Sequence, residues 1–368
     1  MKIIFIGGRS IHTLGGIESY MYNLATHLRQ MGHEPIVYCE SDNKRIEYVN
    51  GFKVIHHKSY ASNLICKPIL GLKSTLHALY TEKDISLIHY NAWPVSLWCF
   101  FPRMFGIPAL MEGHGLEWKR SKYSSKARRV MRFMEMFTAH LNNHLIMVSQ
   151  EQTDFFYRKY GKRCVTIPTA VNLPIKVPSV TVLSKFLLEE EKYYLFLGRL
   201  VQDKNPDYLI RAFIASGITD KKLVIAGAND AMPDYVKYLK DQALGYDNII
   251  FTGAVYGEDK EALLQYCYTF CIPSTIEGLA ITLLEAMSYE RMVLASDIPA
   301  NREGLGDNGV WVRYEDEEDL TEKLIYCENH PELLVEQGQM NKKRIEEYFT
   351  WDIVARRYVE YVKAIVKK

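Results

Sequence analysis

The stretch that decides the fold is Thr269-Phe-Cys-Ile-Pro273, followed by Ser274-Thr-Ile-Glu277-Gly-Leu-Ala-Ile-Thr-Leu-Leu-Glu285. Its apolar beginning predicts a buried strand that ends at Pro273, and Ser274 and Thr275 supply hydroxyl groups that can cap a helix. A helical apolar pattern then covers Leu279–Ser288. A strand that leads through a polar turn into a helix is the repeating unit of a parallel α/β sheet. The mouth of such a helix is a natural site for an anion or another ligand.

Two carboxylates lie eight positions apart in this stretch, Glu277 at the predicted helix mouth and Glu285 within the helix. They are roughly 12 Å apart if every intervening residue is helical. Carboxylate pairs that hydrolyse glycosides stand closer, at about 5 to 9.5 Å. We therefore expect the two glutamates to hold different parts of one ligand. The alternative is a capping glutamate and a solvated helix glutamate.

The chain has 368 residues, 48% hydrophobic and 24% charged, which is typical of a soluble globular protein with two domains. Met1-Lys-Ile-Ile-Phe-Ile-Gly-Gly8 predicts a buried strand entering a glycine turn, too short for a signal peptide and without a cleavage site. The seven cysteines have no paired metal-binding spacing. They are typical of reduced thiols in a cytoplasmic protein.

The small net charge of +1 hides an asymmetry between the two halves of the chain. Residues 1–175 hold 22 Lys and Arg against 12 Asp and Glu, whereas residues 176–368 hold 23 against 32. This split indicates that one half faces an anionic partner.

Strand-like and helical patterns alternate along the whole chain, which predicts an α/β fold of two doubly wound domains. Strands of each domain would direct their carboxyl ends toward a cleft between the domains. We predict an N-terminal Rossmann-like domain over 1–172, a linker over 173–191 and a C-terminal Rossmann-like domain over 192–350. The amphipathic helix over 351–368 is expected to pack back across the cleft onto the N-terminal domain.

Two cations follow the predicted strand Tyr194–Leu197, in the sequence Leu197-Gly-Arg199-Leu-Val-Gln-Asp-Lys204-Asn-Pro206. Both would lie at the carboxyl edge of the sheet, where phosphate is bound. A guanidinium binds phosphate oxygens as a fork, and an ammonium adds a point charge. The alternative is two solvated loop cations.

The N-terminal half has a possible anion site of its own at Gly15-Gly16, where a glycine pair opens a helix. An ordinary tight turn explains this pair equally well, since neither a Walker loop nor a clean dinucleotide fingerprint is present. His114 lies between two glycines after the predicted strand Ala109–Glu112. The glycines would let a ligand approach its ring, although a lone histidine is often structural.

The segment Lys119–Arg132 contains seven cations and no acid, with apolar residues among and after them. A basic amphipathic helix of this kind suits an anionic membrane surface or a phosphorylated acceptor. A solvated basic face is the alternative. Nucleic-acid binding is disfavoured because aromatic platforms and known modules are missing.

Together these residues resemble the family-four retaining glycosyltransferases of the GT-B fold, and the likeness covers nearly the whole chain. Its most specific part is Glu277…Glu285, joined by Gly198-Arg199…Lys204-Asn-Pro206, the Gly15-Gly16 loop and the closing helix. The stretch from His114 to Arg120 is similar to a subgroup that includes bacterial rhamnosyltransferases of surface-polysaccharide assembly. The resemblance therefore implies a cytoplasmic enzyme, with a peripheral location on the inner face of the cell membrane as a further expectation.

The resemblance also implies a role for each site residue. Arg199 and Lys204 would hold the diphosphate of a nucleotide sugar, and Glu285 the ribose hydroxyls. Glu277 and the backbone at Gly278 and Leu279 would contact the donor sugar, as would His114. The remaining donor contacts would come from Gly253 and Val255 beside the base and from Gly15 and Gly16 near the phosphates.

The chemistry expected from this set is front-face substitution with retention, in which the cations stabilise the leaving diphosphate. No Asp-x-Asp triplet occurs, so neither a catalytic metal nor another cofactor is expected. The acceptor is expected to be a glycan or a lipid-linked glycan. Two rivals remain at this point: a sugar-nucleotide epimerase of the same architecture, and a non-catalytic sugar-nucleotide-binding protein.

Overall fold

The protein divides into two compact units, Met1–Ala170 with Trp351–Lys368, and Val171–Thr350. The structure is a computed structural model that describes residues 1–12, 15–58, 63–115, 118, 125–141, 144–229 and 232–367. Residues 63–65 are described by their backbone alone.

The first unit is built on one sheet of eight strands, counted over its described residues. The strands are β1 Lys2–Gly7, β2 Glu34–Ser41, β3 Arg45–Val49, β4 Phe52–Lys58, β5 Ile85–Asn91, β6 Ala109–Gly113, β7 His144–Met147 and β8 Val165–Thr166. Their order across the sheet is β3-β4-β2-β1-β5-β6-β7-β8, and β3 pairs antiparallel with β4 whereas the other pairs are parallel. The helices of this unit are α1 Gly16–Gln30, α2 Asn63–Thr81, α3 Phe100–Met104, α4 Ser125–Leu141, α5 Gln150–Tyr160 and α13 Trp351–Val366.

The second unit is built on a six-stranded parallel sheet, again counted over described residues. Its strands are β9 Tyr193–Leu197, β10 Lys222–Ala226, β11 Ile249–Gly253, β12 Thr269–Ile272, β13 Met292–Ser296 and β14 Val310–Val312. The helices are α6 Pro206–Ser216, α7 Pro233–Gln242, α8 Gly257–Tyr266, α9 Ile281–Ser288, α10 Pro299–Leu305, α11 Glu317–Asn329 and α12 Glu332–Tyr348.

The strand order of the second sheet is β11-β10-β9-β12-β13-β14, and it indicates where a ligand would bind. The order reverses between β9 and β12, because the chain adds strands on one side of β9 and then on the other. In open α/β sheets, ligands bind outside the carboxyl ends of the strands at this reversal point. The loops after β9 and β12 are therefore the first place to look for a site in this unit.

Hydrophobic patterning explains the central strands and the last helix. Ile3–Ile6 of β1 are fully buried, as expected for a parallel strand covered on both faces. In α13, Trp351, Val354, Tyr358 and Val362 repeat at helical spacing and pack in the same core as the buried face of α1. The last helix thus belongs to the first unit, although the residues before it belong to the second.

The α/β class and the two doubly wound sheets are as the sequence predicts. The predicted linker 173–191 falls within the second unit, and its 3-10 helix Val180–Phe186 buries Val182 and Leu183. Several elements were missed: the hairpin of β3 and β4, helices α3, α10 and α12, and the short edge strand β14.

Candidate active site

The loops after β9 and β12 are held together by backbone-directed hydrogen bonds. The Thr275 amide donates to the Asp203 carbonyl over 2.9 Å, and the Asn205 side-chain amide donates to the Pro273 carbonyl over 2.9 Å. Asn205 adopts the left-handed conformation with φ 49° at the start of α6, which Asn tolerates better than most residues. Side chains on these two loops are therefore held at fixed positions relative to each other.

Lys204 and Glu277 form an ion pair across these loops. The Lys204 ammonium lies 2.7 Å from Glu277 Oε1, which also accepts a hydrogen bond from the Ser274 hydroxyl over 2.8 Å. Both side chains are largely buried, with 18% of Lys204 and 11% of Glu277 exposed. An ammonium has three donors, so the bond to Glu277 leaves capacity for an anionic ligand.

Arg199 differs from Lys204 in its surroundings. It is exposed at the carboxyl end of β9, and no described residue forms an ion pair or hydrogen bond with its guanidinium. Its five donors are thus available to a ligand at the same edge of the sheet. The structure brings Arg199, Lys204 and Glu277 to one place, the reversal point of the sheet.

Glycines let the neighbouring loops approach closely. A Cβ atom on Gly227, after β10, would lie 1.8 Å from the Gly198 carbonyl oxygen, so no other residue fits there. The Gly227 amide donates to the Gly253 carbonyl over 2.8 Å, which ties in the loop after β11. The carboxyl-end loops of three adjacent strands are consequently packed into one surface.

Glu285 also has a cationic partner. Lys260 of α8 lies 2.7 Å from Glu285 Oε1, and 31% of Lys260 and 22% of Glu285 are exposed. Lys260 was missed in the sequence. Its position in the first turn of the helix after β11 is the signal that could have identified it, because such residues lie near the carboxyl edge of the sheet.

Helix α9 begins at Ile281 and not at Leu279, so the distance based on an unbroken helix does not apply to Glu277 and Glu285. The predicted cap is also wrong. Ala280 occupies the N-cap position without a side-chain hydrogen bond, while the Ser274 hydroxyl donates to Glu277 and the Thr275 hydroxyl to the Asp203 carbonyl. These hydroxyl groups organise the loop instead of the helix, because Gly278 and the residues around it remain non-helical.

The other predicted donor contacts of this unit lie in the same loops. Gly253 has a positive φ of 72°, which favours glycine, and Val255 follows it as a buried residue. Gly278 and Leu279 are buried just before α9. Contact of these residues with a donor stays a prediction.

In the first unit, Gly15 is the N-cap of α1, and Gly16 is its first residue. The Arg9 amide donates to Glu18 Oε1 over 2.6 Å, and a Cβ atom on Gly15 would lie 2.2 Å from Glu18 Oε2. A carboxylate of the protein thus lies beside this glycine loop, where an approaching phosphate would meet it. The anion-binding role of Gly15 and Gly16 stays a prediction.

His114 follows β6, half-buried between Gly113 and Gly115. Its ring meets the ring of Tyr20 edge-on, with centroids 5.1 Å apart. Of the predicted basic segment Lys119–Arg132, residues 119–124 lie outside the described residues, and residues 125–132 form the first half of α4.

Comparison with known proteins gives the family. The model described as glycosyltransferase family 4 matches residues 14–174, and the model described as glycosyl transferases group 1 matches residues 183–344. The two matches together cover most of the chain, one over each unit. The chain belongs to the glycosyltransferases.

Curated relatives of this glycosyltransferase include enzymes of known and unknown substrate. An uncharacterized glycosyltransferase of Methanocaldococcus jannaschii is 31% identical over 183 residues, 48% of this chain and 45% of the relative. O-antigen chain mannosyltransferase C of Escherichia coli is 23% identical over 96% of both chains. The N,N'-diacetylbacillosaminyl-diphospho-undecaprenol alpha-1,3-N-acetylgalactosaminyltransferase of Campylobacter jejuni is 25% identical over 86% of this chain and 87% of its own.

Solved structures show that the glycosyltransferase has the GT-B fold. Sucrose-phosphate synthase from Thermosynechococcus elongatus superposes with a TM-score of 0.85 at 18% identity, over 99% of this chain and 98% of the other. HepE of Anabaena, in complex with UDP and glucose, gives 0.81 at 18% identity over 99% and 100%. At these identities the likeness concerns the fold alone. Among the described residues of this glycosyltransferase, no helix has the length and apolar content to cross a membrane.

Proposed function

We propose that this glycosyltransferase transfers a hexosyl or deoxyhexosyl group, with retention, from a nucleoside-diphosphate sugar to a glycan or lipid-linked glycan in bacterial surface-polysaccharide synthesis. One observation carries the donor part of the proposal. It is the Lys204–Glu277 ion pair at the reversal point of the second sheet, beside the exposed guanidinium of Arg199. A cationic pair at this edge fits a diphosphate.

The proposed roles follow the chemistry of each side chain. Arg199 binds the diphosphate through paired N–H donors, and Lys204 binds it while Glu277 fixes the position of its ammonium. Glu285, held by Lys260, accepts hydrogen bonds from the ribose hydroxyls. The carboxylate of Glu277 and the backbone of Gly278 and Leu279 bind the sugar.

Further donor contacts are proposed from the family resemblance. In the second unit, Gly253 and Val255 lie beside the base. In the first unit, Gly15 and Gly16 approach the phosphates, and His114 contacts the donor sugar.

The proposed reaction breaks the bond between the anomeric carbon and the diphosphate oxygen. The acceptor oxygen forms its bond on the same face, so the configuration is retained. The hydroxyl proton of the acceptor passes to an oxygen of the leaving diphosphate. Arg199 and Lys204 stabilise the negative charge that develops there, which is where preorganised donors act most strongly.

We also propose that no divalent metal takes part. The support is the placement of two permanent cations where a metal would otherwise neutralise the diphosphate. Transfer is expected to be unchanged after treatment with EDTA, and full loss of activity restored by Mg²⁺ or Mn²⁺ would overturn this part.

The acceptor class is proposed from the relatives. One is named for an O-antigen chain, and another for an acceptor carried on diphospho-undecaprenol. A polyprenyl-diphosphate glycan at the membrane surface is therefore the first acceptor to test.

Helix α4 supports a peripheral position of the enzyme on an anionic membrane. Its exposed surface combines Lys126 and Arg129 with the apolar side chains of Val130, Phe133 and Phe137. Such a surface is typical of a helix that lies in the membrane interface.

The acidic residue of α4 does not oppose this attraction. Glu135 is fully buried and is bound by the Trp118 indole, Lys159 and the Tyr160 hydroxyl at 2.7 to 2.9 Å. The exposed face of α4 therefore carries positive charge without a carboxylate, among the residues that the structure describes.

The experiment that tests the function is a screen of nucleotide sugars against lipid-linked acceptors, with mass spectrometry of the product. The Glu285→Ala and Lys204→Ala variants are run beside the native enzyme, and NMR of the product gives the anomeric configuration. We expect transfer by the native enzyme and strong loss in both variants. Undiminished transfer by both variants would refute the site, and an inverted product would refute retention.

A further inference from the structure

A group of buried polar side chains lies behind His114 in the first unit. Glu112, two residues before His114, is the register partner of Asn91 on the adjacent strand β5. Both side chains are fully buried at the carboxyl ends of their strands. The proposed donor and acceptor contacts leave this group without a role.

The group forms a chain of close contacts from α13 to His114. The Tyr358 hydroxyl of α13 lies 2.9 Å from His89 Nδ1, and His89 Nε2 lies 3.0 Å from Glu112 Oε2. The Tyr20 hydroxyl lies beside the same carboxyl, and the Tyr20 ring packs edge-on against His114. A change in the charge of Glu112 therefore acts on His114 in two ways, directly by electrostatic interaction and indirectly through the ring of Tyr20.

The carboxyl of Glu112 is poorly satisfied for a buried group. Neither of its oxygens accepts a well-aligned hydrogen bond from the described residues, and the side-chain amide of Asn91 is unpaired in the same way. Burying a carboxylate without such bonds is costly, so the protonated form is favoured. Burial raises the pKa of Glu112 to about 7, against the smaller opposing effects of His114 and Tyr20.

His89, Tyr20 and Tyr358, the groups that face Glu112 from β5, α1 and α13, do not change charge in this range. Burial lowers the pKa of His89 to about 3, so its imidazole is neutral. Burial also raises the pKa of Tyr20 and of Tyr358 well above the usual range, so both phenols keep their protons. Of the groups that face Glu112 from α1, β5 and α13, none competes with it for a proton near neutral pH.

We infer that Glu112 is a positioning residue for His114, and that the proton it carries switches the network Tyr20–Glu112–His89–Tyr358 between two arrangements. This inference rests on the proposed function, in which His114 contacts the donor sugar. In the protonated arrangement, the Glu112 carboxyl donates to His89 Nε2, and His89 Nδ1–H donates to the Tyr358 hydroxyl.

Ionisation reverses the direction of these hydrogen bonds. The carboxyl proton passes to His89 Nε2, Nδ1 releases its proton to solvent, and the Tyr358 hydroxyl then donates to Nδ1. One proton leaves in total, and the carboxylate that remains attracts the ring of His114 and favours its charged form. The charged form of His114 can stabilise negative charge on the donor. We therefore expect the rate of sugar transfer to rise as the pH increases through the ionisation of Glu112.

The test compares the native enzyme with Glu112→Gln, which keeps the shape of the side chain but cannot ionise. Transfer rates are measured from about pH 5.5 to pH 8.5. We expect a severalfold rise in kcat for the native enzyme and, for Glu112→Gln, variation within about twofold over the same range. Binding of the nucleoside diphosphate, measured by calorimetry, should be the same in both. An identical rise in the two enzymes would overturn the inference.

Further variants separate a positioning role from a structural one. Glu135→Gln changes another fully buried glutamate of this unit and should keep the native pH profile. If Glu112→Gln does not fold, Tyr358→Phe serves instead, since it removes only the hydroxyl that His89 contacts and should shift the midpoint of the profile. An unshifted midpoint in that variant would count against the network.

NMR of histidine ring carbons gives a readout that does not depend on activity. The His114 signals should report an ionisation near neutral pH that is absent in Glu112→Gln. If this signal is present but no sugar is transferred from any donor at any pH, the proposed function fails while the inferred network is still supported. If transfer occurs but the His114 signals titrate alike in both proteins, the network fails alone.

Discussion

The two sheets of this glycosyltransferase carry their polar groups at the same edge but treat them differently. At the carboxyl edge of the second sheet, Lys204 and Glu277 are paired and partly accessible, and Arg199 is exposed. At the corresponding edge of the first sheet, Glu112 and Asn91 are fully buried, and no described residue gives either side chain a well-aligned hydrogen bond.

The difference indicates that the same edge of an α/β sheet can either bind an anion or respond to protonation. Charges that are fixed by a partner before the ligand arrives are suited to binding and stabilising an anion, because they need little reorganisation. A buried carboxyl without well-aligned hydrogen bonds has a raised pKa, which brings its two protonation states close in free energy near neutral pH. Such a carboxyl can respond to a change of pH and alter the hydrogen bonds of its neighbours. The following predictions test this contrast.

The largest effect is expected at Lys204. The Lys204→Ala substitution removes a cation from the proposed site of the leaving diphosphate and takes the Lys204 ammonium away from the largely buried carboxylate of Glu277. We expect kcat/KM to fall about 10²- to 10³-fold, as for loss of a preorganised donor. Lys185→Ala is the matched control, because Lys185 pairs with Asp259 on an exposed part of the same unit. Equal activity of the two variants would contradict the assignment.

The second largest effect is expected in the pH dependence of the free energy of unfolding, to which Glu112 contributes. A carboxyl whose pKa is raised by folding stabilises the protein below its unfolded pKa, and this contribution is lost as the pH rises through the folded pKa. The free energy of unfolding of the native enzyme, relative to Glu112→Gln, should fall between about pH 4.5 and pH 7. The change is at most about 3.5 kcal/mol, since the pKa rises from 4.5 to about 7 and one pKa unit corresponds to about 1.4 kcal/mol.

Denaturant unfolding at several pH values measures this difference. His89 acts in the opposite direction, because burial lowers its pKa. Its contribution is present in both proteins and cancels in the comparison. A difference that does not vary with pH would show that Glu112 is not the sensing group.

Arg199 should show a smaller effect than Lys204. Its guanidinium is exposed and pairs with no described side chain, so Arg199→Ala removes the proposed phosphate contact without leaving a buried charge behind. We expect a loss of about tenfold to a hundredfold in kcat/KM, consistent with a charged hydrogen bond. Arg199→Lys should recover only part of this, because an ammonium cannot bind as a fork. Full recovery would indicate a simple charge effect.

The smallest effect is expected for the proposed contact of α4 with an anionic membrane. Replacing Phe133 and Phe137 together by Ser removes exposed apolar area and leaves the basic residues in place. We expect flotation with anionic liposomes to fall severalfold, and transfer to a water-soluble acceptor to stay unchanged. The control is Tyr80→Ser, which removes an exposed aromatic side chain from α2. Equal flotation of all three proteins would argue against this surface.

Much of the fold can be predicted from the sequence, because short hydrophobic runs such as Ile3–Ile6 and Thr269–Ile272 are typical of buried parallel strands. The sequence also places Arg199, Lys204 and Glu277 at one edge, since parallel strands direct their carboxyl ends the same way. The hairpin of β3 and β4 was missed because its strands are rich in charged and polar residues. Its turn, Asn50-Gly51, has positive φ at both positions and was the signal that could have revealed it.

Other features depend on tertiary contacts that no local pattern reports. The start of α9 is set by Ala280 after a loop held to Asp203 and Glu277, so helix propensity alone placed it two residues too early. Lys260 and Glu285, which pair across two helices, lie 25 residues apart in the chain. The contacts of His89 with Glu112 and with Tyr358 join two strands of the first sheet to the last helix of the chain.

The central claim is that a nucleoside diphosphate binds at the reversal point of the second sheet. A crystal structure of the enzyme with bound nucleoside diphosphate tests it most directly. We predict diphosphate oxygens within hydrogen-bonding distance of Arg199 and Lys204, and ribose hydroxyls on Glu285. A nucleotide bound elsewhere, with these three side chains directed into solvent, would contradict the account.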